Sequence, residues 1–505
     1  MLLVAVIASA AFLCWVAYYA VERRRRRKGL SYPPGPPPRP IIGNLLDVPT
    51  VDAWATYAGW EKKYGDIMSL HVLGNVIIVL QSVKATRDLL EKRASIYSDR
   101  PVLPFFDMMD SDWSIPLARY TDYWRRGRHI LERGLRPTTV ALYQPIQKAK
   151  THTFLKKLLT HPEDYREHIE HLQGAILMGI TYGYDVKERD DHMLEKAREL
   201  VNLAAATVMP GALLVNDLPF LQYLPEWLPG MGFKALARNG RALGEAVIYR
   251  PFSFVKSAIE NGTAGLSLAR EVLEENPSQD PVVEDRIATA IGSLYAAGSD
   301  ATVAAVLSFF LMLVQYPAVQ EKAQAELDAI TGGSRLPDFT DRARLPYINA
   351  VCMELLRWRM VAPLGMPHAA TEDDVYDGYF IPKGAIVLAN AWAILHDPAV
   401  YPDPDTFNPD RFLTPEGELK DDPFVSMAFG FGKRTCPARF LVDRTLFIEV
   451  TYVLATFDVR KARDANGNEI SVDPAYVGMQ TSQPEPFACS IVPRSKTAEG
   501  LILAD

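Results

Sequence analysis

Cysteine is scarce in this chain, with four residues among 505. Cys14, Cys352, Cys436 and Cys489 show no spacing typical of a zinc site or a disulfide framework. The nine histidines also lack metal-ligand spacing. These absences exclude a disulfide-stapled secreted domain and a common zinc fold, and they predict a body that lives in a reducing compartment.

Linkers, internal repeats and low-complexity tracts are missing after residue 50. Hydrophobic residues make up 48% and charged residues 23%, which excludes a disordered chain and allows a large core. Length alone would suggest roughly three domains, but without a linker we expect one unit over residues 41–505. The net charge of −7 gives no indication of nucleic-acid binding.

Charge is absent from residues 1–21, an apolar run long enough to cross a bilayer as one helix. Six basic residues follow at positions 23–28. A cleaved signal peptide would carry its basic residues before the apolar run and a small-residue cleavage site after it. We therefore expect a transmembrane signal anchor at 1–21 with the body in the cytosol; the alternative is a buried N-terminal helix with a basic cap.

Residues 22–40 form a basic and proline-rich connector that includes "YPPGPPPRP" at 32–40. Such a run favours extended polyproline geometry. We expect it to hold the body at a limited distance from the bilayer.

Residues 285–317 predict a long helix that ends before Pro317. Its apolar part, residues 301–314, is too short to span a membrane, so we expect it to cross the protein interior. Gly298, Asp300 and Thr302 interrupt its apolar centre, although a helical glycine costs about 1 kcal/mol and a buried carboxylate costs more. A kink with inserted water beside a ligand and a satisfied core aspartate both explain this stretch.

Further along, a second helix should end before Pro363 with Glu354 and Arg357 on one face. Strands are expected around a turn at residues 382–384, followed by the loop "YPDPDTFNPDRF". The stretch "FGFGKRTCPARF" at 429–440 then places Cys436 among glycines and basic residues.

Taken in order, the mid-helix AGxD, Glu-x-x-Arg, FxPxRF and FGxGxRxCP resemble the cytochrome P450 superfamily of haem-thiolate monooxygenases. The resemblance covers nearly the whole chain and is greatest to membrane-bound fungal members. It implies a mainly α-helical haem-thiolate fold with a small β region, preceded by one N-terminal transmembrane helix, as a single-pass protein of the endoplasmic reticulum membrane.

The resemblance also implies a haem b cofactor with Cys436 as the axial thiolate and metal ligand, which pushes electron density onto the iron to favour cleavage of dioxygen. Gly430 and Gly432 would permit a turn that aims N–H groups at the sulfur, beside Phe429. Pro437 would start the next helix, and Ala438 stands where the family usually has glycine. The expected partners of the haem propionates are Arg434, Trp124, Arg128 and His368.

Other residues take implied roles by position. Glu354, Arg357 and Arg411 resemble a buried structural charge network. The distal pocket would use residues 103–113, Ala297, Ala301, 361–366 and 477–480, which are mostly apolar and favour a lipophilic substrate. Residues 217–233 fit an apolar rim dipping toward the membrane or a plain inter-helix loop.

The implied activity is insertion of one oxygen atom into a lipophilic small molecule, with a terpenoid of fungal secondary metabolism as the first expectation. Electrons would come from NADPH through a flavoprotein reductase, with a cytochrome b-type protein as an alternative donor. The docking site of the reductase or, alternatively, a solvated basic face would consist of Arg125, Arg126, Arg133 and Lys433. The alternatives are a haem-thiolate isomerase or dehydratase, which Asp300 and the reductase-facing arginines argue against, and a non-catalytic haem-binding sensor.

The expected catalytic residues are Asp300, Thr302 and Ala301. Ala301 stands where the family usually has a threonine whose hydroxyl holds a water chain for proton delivery. Thr302 is one position later, a rotation of about 100° on a helix. Asp300 with ordered water, Thr302 on a distorted turn, and a substrate hydroxyl are three ways to complete the relay; we favour the first or the third.

Overall fold

The computed structural model describes residues 25–208, 212–276, 280–478 and 481–504. The expected anchor at 1–21 lies outside the described residues. The helices are α1 (Ala53–Tyr64), α2 (Val83–Thr86), α3 (Ala94–Tyr97), α4 (Pro104–Met108), α5 (Asp122–Gly134), α6 (Pro137–Val140), α7 (Gln144–Thr160), α8 (Tyr165–Tyr182), α9 (His192–Ala205), α10 (Leu214–Asp217), α11 (Phe233–Glu260), α12 (Leu268–Glu275), α13 (Pro281–Gln315), α14 (Pro317–Thr331), α15 (Pro346–Trp358), α16 (Ala391–Leu395), α17 (Arg439–Thr456) and α18 (Lys496–Leu503).

The strands are short and lie in four small sheets of the described chain. They are β1 (Ile67–Val72), β2 (Asn75–Leu80), β3 (His368–Ala369), β4 (Asp374–Tyr376), β5 (Tyr379–Ile381), β6 (Ile386–Ala389), β7 (Phe457–Lys461), β8 (Tyr476–Val477), β9 (Gln483–Pro484) and β10 (Cys489–Pro493). The expectation of a mainly helical chain with a small β region is confirmed.

The largest sheet has the order β1, β2, β6, β3. Strands β1 and β2 pair antiparallel, β6 runs parallel to β2, and β3 runs antiparallel to β6. The strands expected around residues 382–384 are present, but β5 pairs with β4 and β6 joins the larger sheet. The chain after β6 turns directly into the helix α16, which the Asn390 side chain caps by accepting from Ala393 N–H at 3.1 Å.

Helix α13 is the long interior helix that the sequence predicts. It starts at Pro281 because Asp280 accepts the Val282 N–H at 2.9 Å, and it ends before Pro317. Among the described residues it is the helix long and apolar enough to cross a membrane, but 76% of its most apolar window is buried inside the protein. It therefore belongs to the core.

Helices α8 and α13 pack antiparallel, as the contacts of Tyr182 with Tyr295 and of Tyr165 with Phe310 require. Between these contacts, Gly298 meets Leu177, whose Cδ1 would lie 3.0 Å from a Cβ at position 298. Helix α13 runs α-helical through this stretch without interruption. The glycine therefore has a packing reason, and the expected kink is not needed to explain it.

Helix α17 begins at Arg439, not at Pro437 as the sequence predicts. Ala438 is its N-cap residue, so Pro437 belongs to the turn that follows Cys436. The helix continues to Thr456 because most of its residues beyond Thr445 are buried in the core.

The described part of the connector, residues 25–40, packs against the body of the protein. Ser69 donates its hydroxyl to Pro33 O at 2.6 Å and its N–H to Pro34 O at 2.8 Å. A Cβ at Gly35 would lie 1.9 Å from Ser69 O, so only glycine fits. Arg26 pairs with Asp373 near β4. The proline-rich run thus lies on the surface of the sheet rather than apart from it.

Candidate active site

The turn that carries Cys436 is closed by its own backbone. Cys436 N–H donates to Phe429 O at 2.8 Å, and Gly430 and Gly432 adopt φ angles of 82° and 55°. A Cβ at Gly432 would lie 2.1 Å from Leu90 O. Both glycines are therefore required by conformation, and Gly432 also by the close approach of residues 87–92.

The sulfur of Cys436 is surrounded by groups that favour a thiolate. The backbone N–H groups of Ala438 and Arg439 hydrogen-bond to it, and Arg128 and Arg439 lie close by. Burial nevertheless raises the pKa of the thiol, more than these groups lower it. The N–H donors come from the residues after Cys436, not from the glycines that the sequence singles out.

Three of the expected propionate partners converge near this turn. The Arg434 guanidinium stacks over the Trp124 ring at 4.2 Å, and the indole N–H of Trp124 donates to Ile115 O at 3.0 Å. Arg128 donates to Thr435 O in the cysteine turn. The cluster thus joins α5 to the stretch before α17.

The fourth expected partner, His368 on β3, is buried and hydrogen-bonds Tyr97 O through Nδ1 at 2.7 Å. Burial lowers its pKa to about 3, with further lowering by Arg100 and Arg434. His368 is therefore neutral, and its Nδ1 is the donor to the carbonyl.

Arg100 was missed by the sequence reasoning. Its guanidinium donates to Pro116 O at 2.6 Å, Met366 O at 3.0 Å and Pro367 O at 2.7 Å. It is buried, and burial together with Arg434 lowers its pKa. A lone arginine before a proline has no signal in one sequence that separates it from an ordinary loop residue.

The charges of this cluster test whether a haem fits. Arg100 and Arg434 are both buried and each experiences a neighbouring cation. Asp99, the carboxylate that acts on both, is itself bound by Arg119 at 2.6 Å. Buried cations need compensating anions, and haem carries two propionates. The residues therefore fit haem.

Glu354, Arg357 and Arg411 form one buried network, as expected. Glu354 accepts from Arg357 at 2.6 and 2.9 Å and from Arg411 at 3.1 Å, and the three side chains are at most 8% exposed. Arg357 also donates to Leu395 O and Pro404 O, at 3.0 and 2.7 Å. The network ties α15 to the loop before the cysteine turn.

One face of helix α13 is only partly covered by the rest of the protein. Ala297 is exposed and Ala301 is half-buried, although the flanking Ala296 and Thr302 are buried. Ala297 and Ala301 are four residues apart and share this face. Thr302 is four residues after Gly298 and shares the face that packs on α8. The hydroxyl of Thr302 therefore lies on a different face of α13 from Ala301 and does not replace a hydroxyl at position 301.

Asp300 lies in a group of charges between α8, α9 and α13. Burial raises its pKa, while a hydrogen bond from the Thr481 side chain and the charges of Arg198 and Arg166 lower it to a smaller extent. Glu170 pairs with Arg198 at 2.7 Å and with Arg166 at 3.8 Å. Asp300 thus lies near charged groups but forms no direct ion pair with the described residues.

The expected pocket segments come together in part. Ser482 N–H donates to Val361 O at 2.7 Å, which joins the stretch after α15 to the hairpin of β8 and β9. Residues 479–480 lie outside the described residues. In the stretch 103–113, Phe105, Phe106 and Met109 are packed in the core, so much of that stretch is structural.

Comparison with known proteins decides the family. The cytochrome P450 family model matches residues 33–485. The chain is similar to cytochrome P450 monooxygenase COX2 of Coprinopsis cinerea, with 40% identity over 504 residues, 98% of this chain and 95% of the relative. It is also similar to cytochrome P450 monooxygenase 208 of Postia placenta, with 39% identity over 499 residues, 98% and 96% of the two chains. The chain belongs to the cytochrome P450 family.

A third fungal relative, cytochrome P450 monooxygenase claR of Ampulloclitocybe clavipes, is 39% identical over 475 residues, 94% of this chain and 88% of the relative. The expected likeness to fungal P450 monooxygenases is confirmed. The chain is a P450 monooxygenase, and its family implies haem held by a thiolate.

Proposed function

We propose that this P450 inserts one oxygen atom from dioxygen into a lipophilic small molecule, with haem b held by the Cys436 thiolate. The observation that carries the proposal is the cysteine turn, in which two N–H groups reach the sulfur of Cys436 and the buried cations Arg434 and Arg100 of the same cluster share Asp99 as their nearby anion. The haem supplies oxygen activation, which the thiolate promotes. Every other role belongs to the side chains of this chain.

Arg100, Arg434, Arg128, Trp124 and His368 are the proposed propionate partners. Arg100 and Arg434 supply buried charge. Neutral His368 donates its Nδ1–H to Tyr97 O, which leaves Nε2 without a hydrogen, so His368 acts by packing. Glu354, Arg357 and Arg411 have a structural role, since removal of one member leaves a buried charge unpaired.

The proposed substrate is apolar, because the segments assigned to the pocket are mostly apolar and Ala297 and Ala301 offer small methyl groups. Terpenoids are the first class to test, with fatty acids and aromatic compounds beside them. Purified enzyme should shift from low to high spin with a true substrate. With NADPH, reductase and isotopically labelled dioxygen, that compound should gain one labelled oxygen; unlabelled or absent product would contradict the proposal.

Electrons are proposed to come from NADPH through a flavoprotein reductase, with a cytochrome b-type protein as an alternative donor. Lys433 is exposed within the cysteine turn, and Arg126 is exposed on α5, whose Arg128 contacts that turn, which supports an electrostatic docking site. Arg125 and Arg133 are exposed too, but they already pair with Asp122 and Glu275 on the surface.

Membrane attachment in the endoplasmic reticulum, with the catalytic body in the cytosol, is proposed to use residues 1–21 and the apolar rim at 217–233. Phe220, Tyr223 and Trp227 support this because they are 57%, 80% and 79% exposed. Residues 22–40 would be the connector and 41–505 the catalytic domain.

Deletion of residues 1–24 should release much of the protein from microsomes and leave haem binding intact, because Arg26 and the docked connector are kept. Membrane retention and haem content measure the two effects. Full retention would mean that the rim alone suffices, and lost haem would assign the deleted segment to the core.

A further inference from the structure

A small groove lies where the connector meets the largest sheet. Its walls come from the connector, from the turn between β1 and β2, and from the turn between β5 and β6. None of its lining residues belongs to the candidate active site. Its volume of about 160 Å³ admits a group the size of a phosphate, whereas pockets for drug-sized molecules run to roughly 300–1,000 Å³. The groove therefore suits a small polar group rather than a large ligand.

The connector wall of this groove is fixed to the sheet by direct contacts. Phe380 N–H on β5 donates to Ser31 O at 2.8 Å. The Tyr32 ring packs edge-on against the His71 ring at 4.7 Å and lies 5.9 Å from the Phe380 ring. The groove is thus part of the folded body, although one wall comes from the segment that leads to the expected anchor.

Both charged residues in the lining are cations, Arg26 and Lys383. Asp373 accepts from Arg26 Nε at 2.9 Å and from the backbone N–H of Lys383 at 2.7 Å, which fixes both residues at the groove. The side chain of Lys383 is exposed, and its ammonium has no ion-pair partner among the described residues. An anion in the groove would therefore pair with Lys383 without displacing Asp373.

A neutral donor lines the same groove. Asn75 is the first residue of β2 and is half-buried, and its side-chain amide has no hydrogen-bond partner within the described part of the chain. An amide NH₂ offers two donors and an ammonium offers three. A lysine charge with additional hydrogen-bond donors is a combination that recognises phosphate oxygens.

The groove lies close to the expected membrane surface. Arg26 is five residues beyond the end of the expected anchor at residue 21. Five extended residues span at most about 18 Å, and the headgroup layer takes roughly 5–8 Å of that distance. Arg25, Arg27 and Lys28 add positive charge beside the groove, and Arg27 lies over the Tyr32 ring at 5.2 Å. Because the cytosolic leaflet is anionic and attracts basic segments, its lipids are the nearest source of phosphate groups.

We propose that this groove binds the phosphate of an anionic phospholipid headgroup, with Lys383 as its charge partner and Asn75 as a hydrogen-bond donor. The proposal rests on the proposed membrane attachment. A lipid bound there would hold the body in one orientation against the bilayer, because the groove belongs to the body and the lipid to the leaflet. A choline headgroup fits less well, since its quaternary ammonium would meet Arg26 and Lys383.

Native mass spectrometry of the full-length holoenzyme tests the site. The protein is released from nanodiscs that contain equal amounts of phosphatidylcholine and phosphatidylserine, and the lipids that it retains are counted. The wild type should retain one phosphatidylserine per chain. Lys383→Gln and Asn75→Leu should each lower this occupancy by about twofold to fivefold, as loss of one polar contact allows.

Lys28→Gln is the matched control, because it removes the same charge from the connector outside the groove. It should lower the occupancy less than either groove variant. Asn75→Leu changes no charge and therefore separates a built site from a general basic surface. The reduced carbon monoxide spectrum of each variant should match that of the wild type, which shows that the fold is intact.

A phosphatidylserine with a photoreactive headgroup gives the location. It should label residues 73–76 or 380–385 in the wild type and lose that labelling in Lys383→Gln. Labelling confined to residues 22–28 would overturn the proposal. Equal losses in Lys383→Gln and Lys28→Gln, with Asn75→Leu like the wild type, would also overturn it, because the lipid would then respond only to net charge.

Inorganic phosphate separates the lipid from a free anion. Added at constant ionic strength, it should not displace the retained phosphatidylserine; displacement would assign the groove to a free anion and contradict the lipid site. If the protein does not enter nanodiscs at all, the proposed membrane attachment fails. Binding of soluble dibutanoyl phosphatidylserine to the protein in detergent, compared between the wild type and Lys383→Gln, then still decides the role of the groove.

Discussion

Ala301 and Thr302 are neighbours in sequence but lie on different faces of α13. Ala301 shares the open face with Ala297, and Thr302 is buried beside α8. A single-residue offset of the threonine therefore removes its hydroxyl from the pocket. We therefore expect proton delivery to use Asp300 with ordered water or a hydroxyl of the substrate.

Asp300→Asn should lower product formation by about tenfold to a hundredfold, because an amide cannot pass on a proton. Thr302→Ala should change it less than about twofold, since its methyl partners remain packed. Ala301→Thr should keep or improve coupling unless it blocks the substrate. Product and hydrogen peroxide per NADPH measure all three.

The ordering of these variants is what the geometry predicts. A Thr302→Ala enzyme that diverts most NADPH to hydrogen peroxide, beside a nearly normal Asp300→Asn enzyme, would reverse it. The hydroxyl of Thr302 would then have to reach the pocket through a distortion that α13 does not show.

Single residues differ in how far the sequence reveals them. Cys436 could be singled out because glycine, arginine and proline stand at fixed offsets around it. Arg100 could not, because its three backbone acceptors come from residues that fold beside it from elsewhere in the chain.

At the scale of elements, the cysteine turn depends on close backbone contact with the stretch 87–92. Gly432→Ala should destabilise the folded enzyme by about 2–4 kcal/mol, because the new Cβ would meet Leu90 O and the residue would keep a positive φ. Gly332→Ala at the end of α14 is the control, since its φ of 65° is also positive but a Cβ there would meet no atom closer than 3.7 Å. Thermal unfolding and haem content compare the two.

Equal losses of thermal stability and haem in the two variants would mean that the positive φ alone, and not the contact with Leu90 O, explains the effect. The difference between them isolates the contact with Leu90 O. We expect Gly432→Ala to lose more haem at the same temperature.

Helix α17 contains a buried acid, Glu449, whose Oε1 accepts from Gln173 Nε2 at 2.7 Å and whose Oε2 has no hydrogen-bond partner among the described residues. Burial raises its pKa from 4.5 to about 8. Between these values the folded protein binds more protons than the unfolded chain, so the free energy of unfolding falls as pH rises through that window.

Glu449→Gln should therefore gain thermal stability over the wild type at pH 8.5 and differ little from it at pH 5. The expected gain is about 2–4 kcal/mol, as a shift of this size allows after a discount for relaxation. Glu499→Gln, an exposed acid on α18, is the control. A gain that is the same at both pH values would contradict the ionisation account.

Element types were easier to predict than their partners. The Asp280–Pro281 start and the Pro317 stop define α13 locally. The pairing of β5 with β4, and of β6 with β2, depends on where distant strands lie. Local signals of turn and helix do not contain that information.

On the scale of the whole molecule, the buried cations and the cysteine turn come from separate regions, residues 97–128, 366–368 and 429–439. Their convergence gives one site with excess positive charge around a sulfur. The order of motifs predicted this assembly only through the resemblance to a family. The docking of the connector on the sheet was not predictable, since a proline-rich run alone indicates an extended chain and not what it packs against.

The reduced carbon monoxide difference spectrum of Cys436→Ser tests the central claim most directly. Cys352→Ser and Cys489→Ser are matched controls, since both remove a free thiol outside the cysteine turn. Because only a thiolate donates the charge that shifts the Soret band to the red, Cys436→Ser should lose that band while both controls keep it. A red-shifted band that persists in Cys436→Ser would contradict the assignment of the axial ligand.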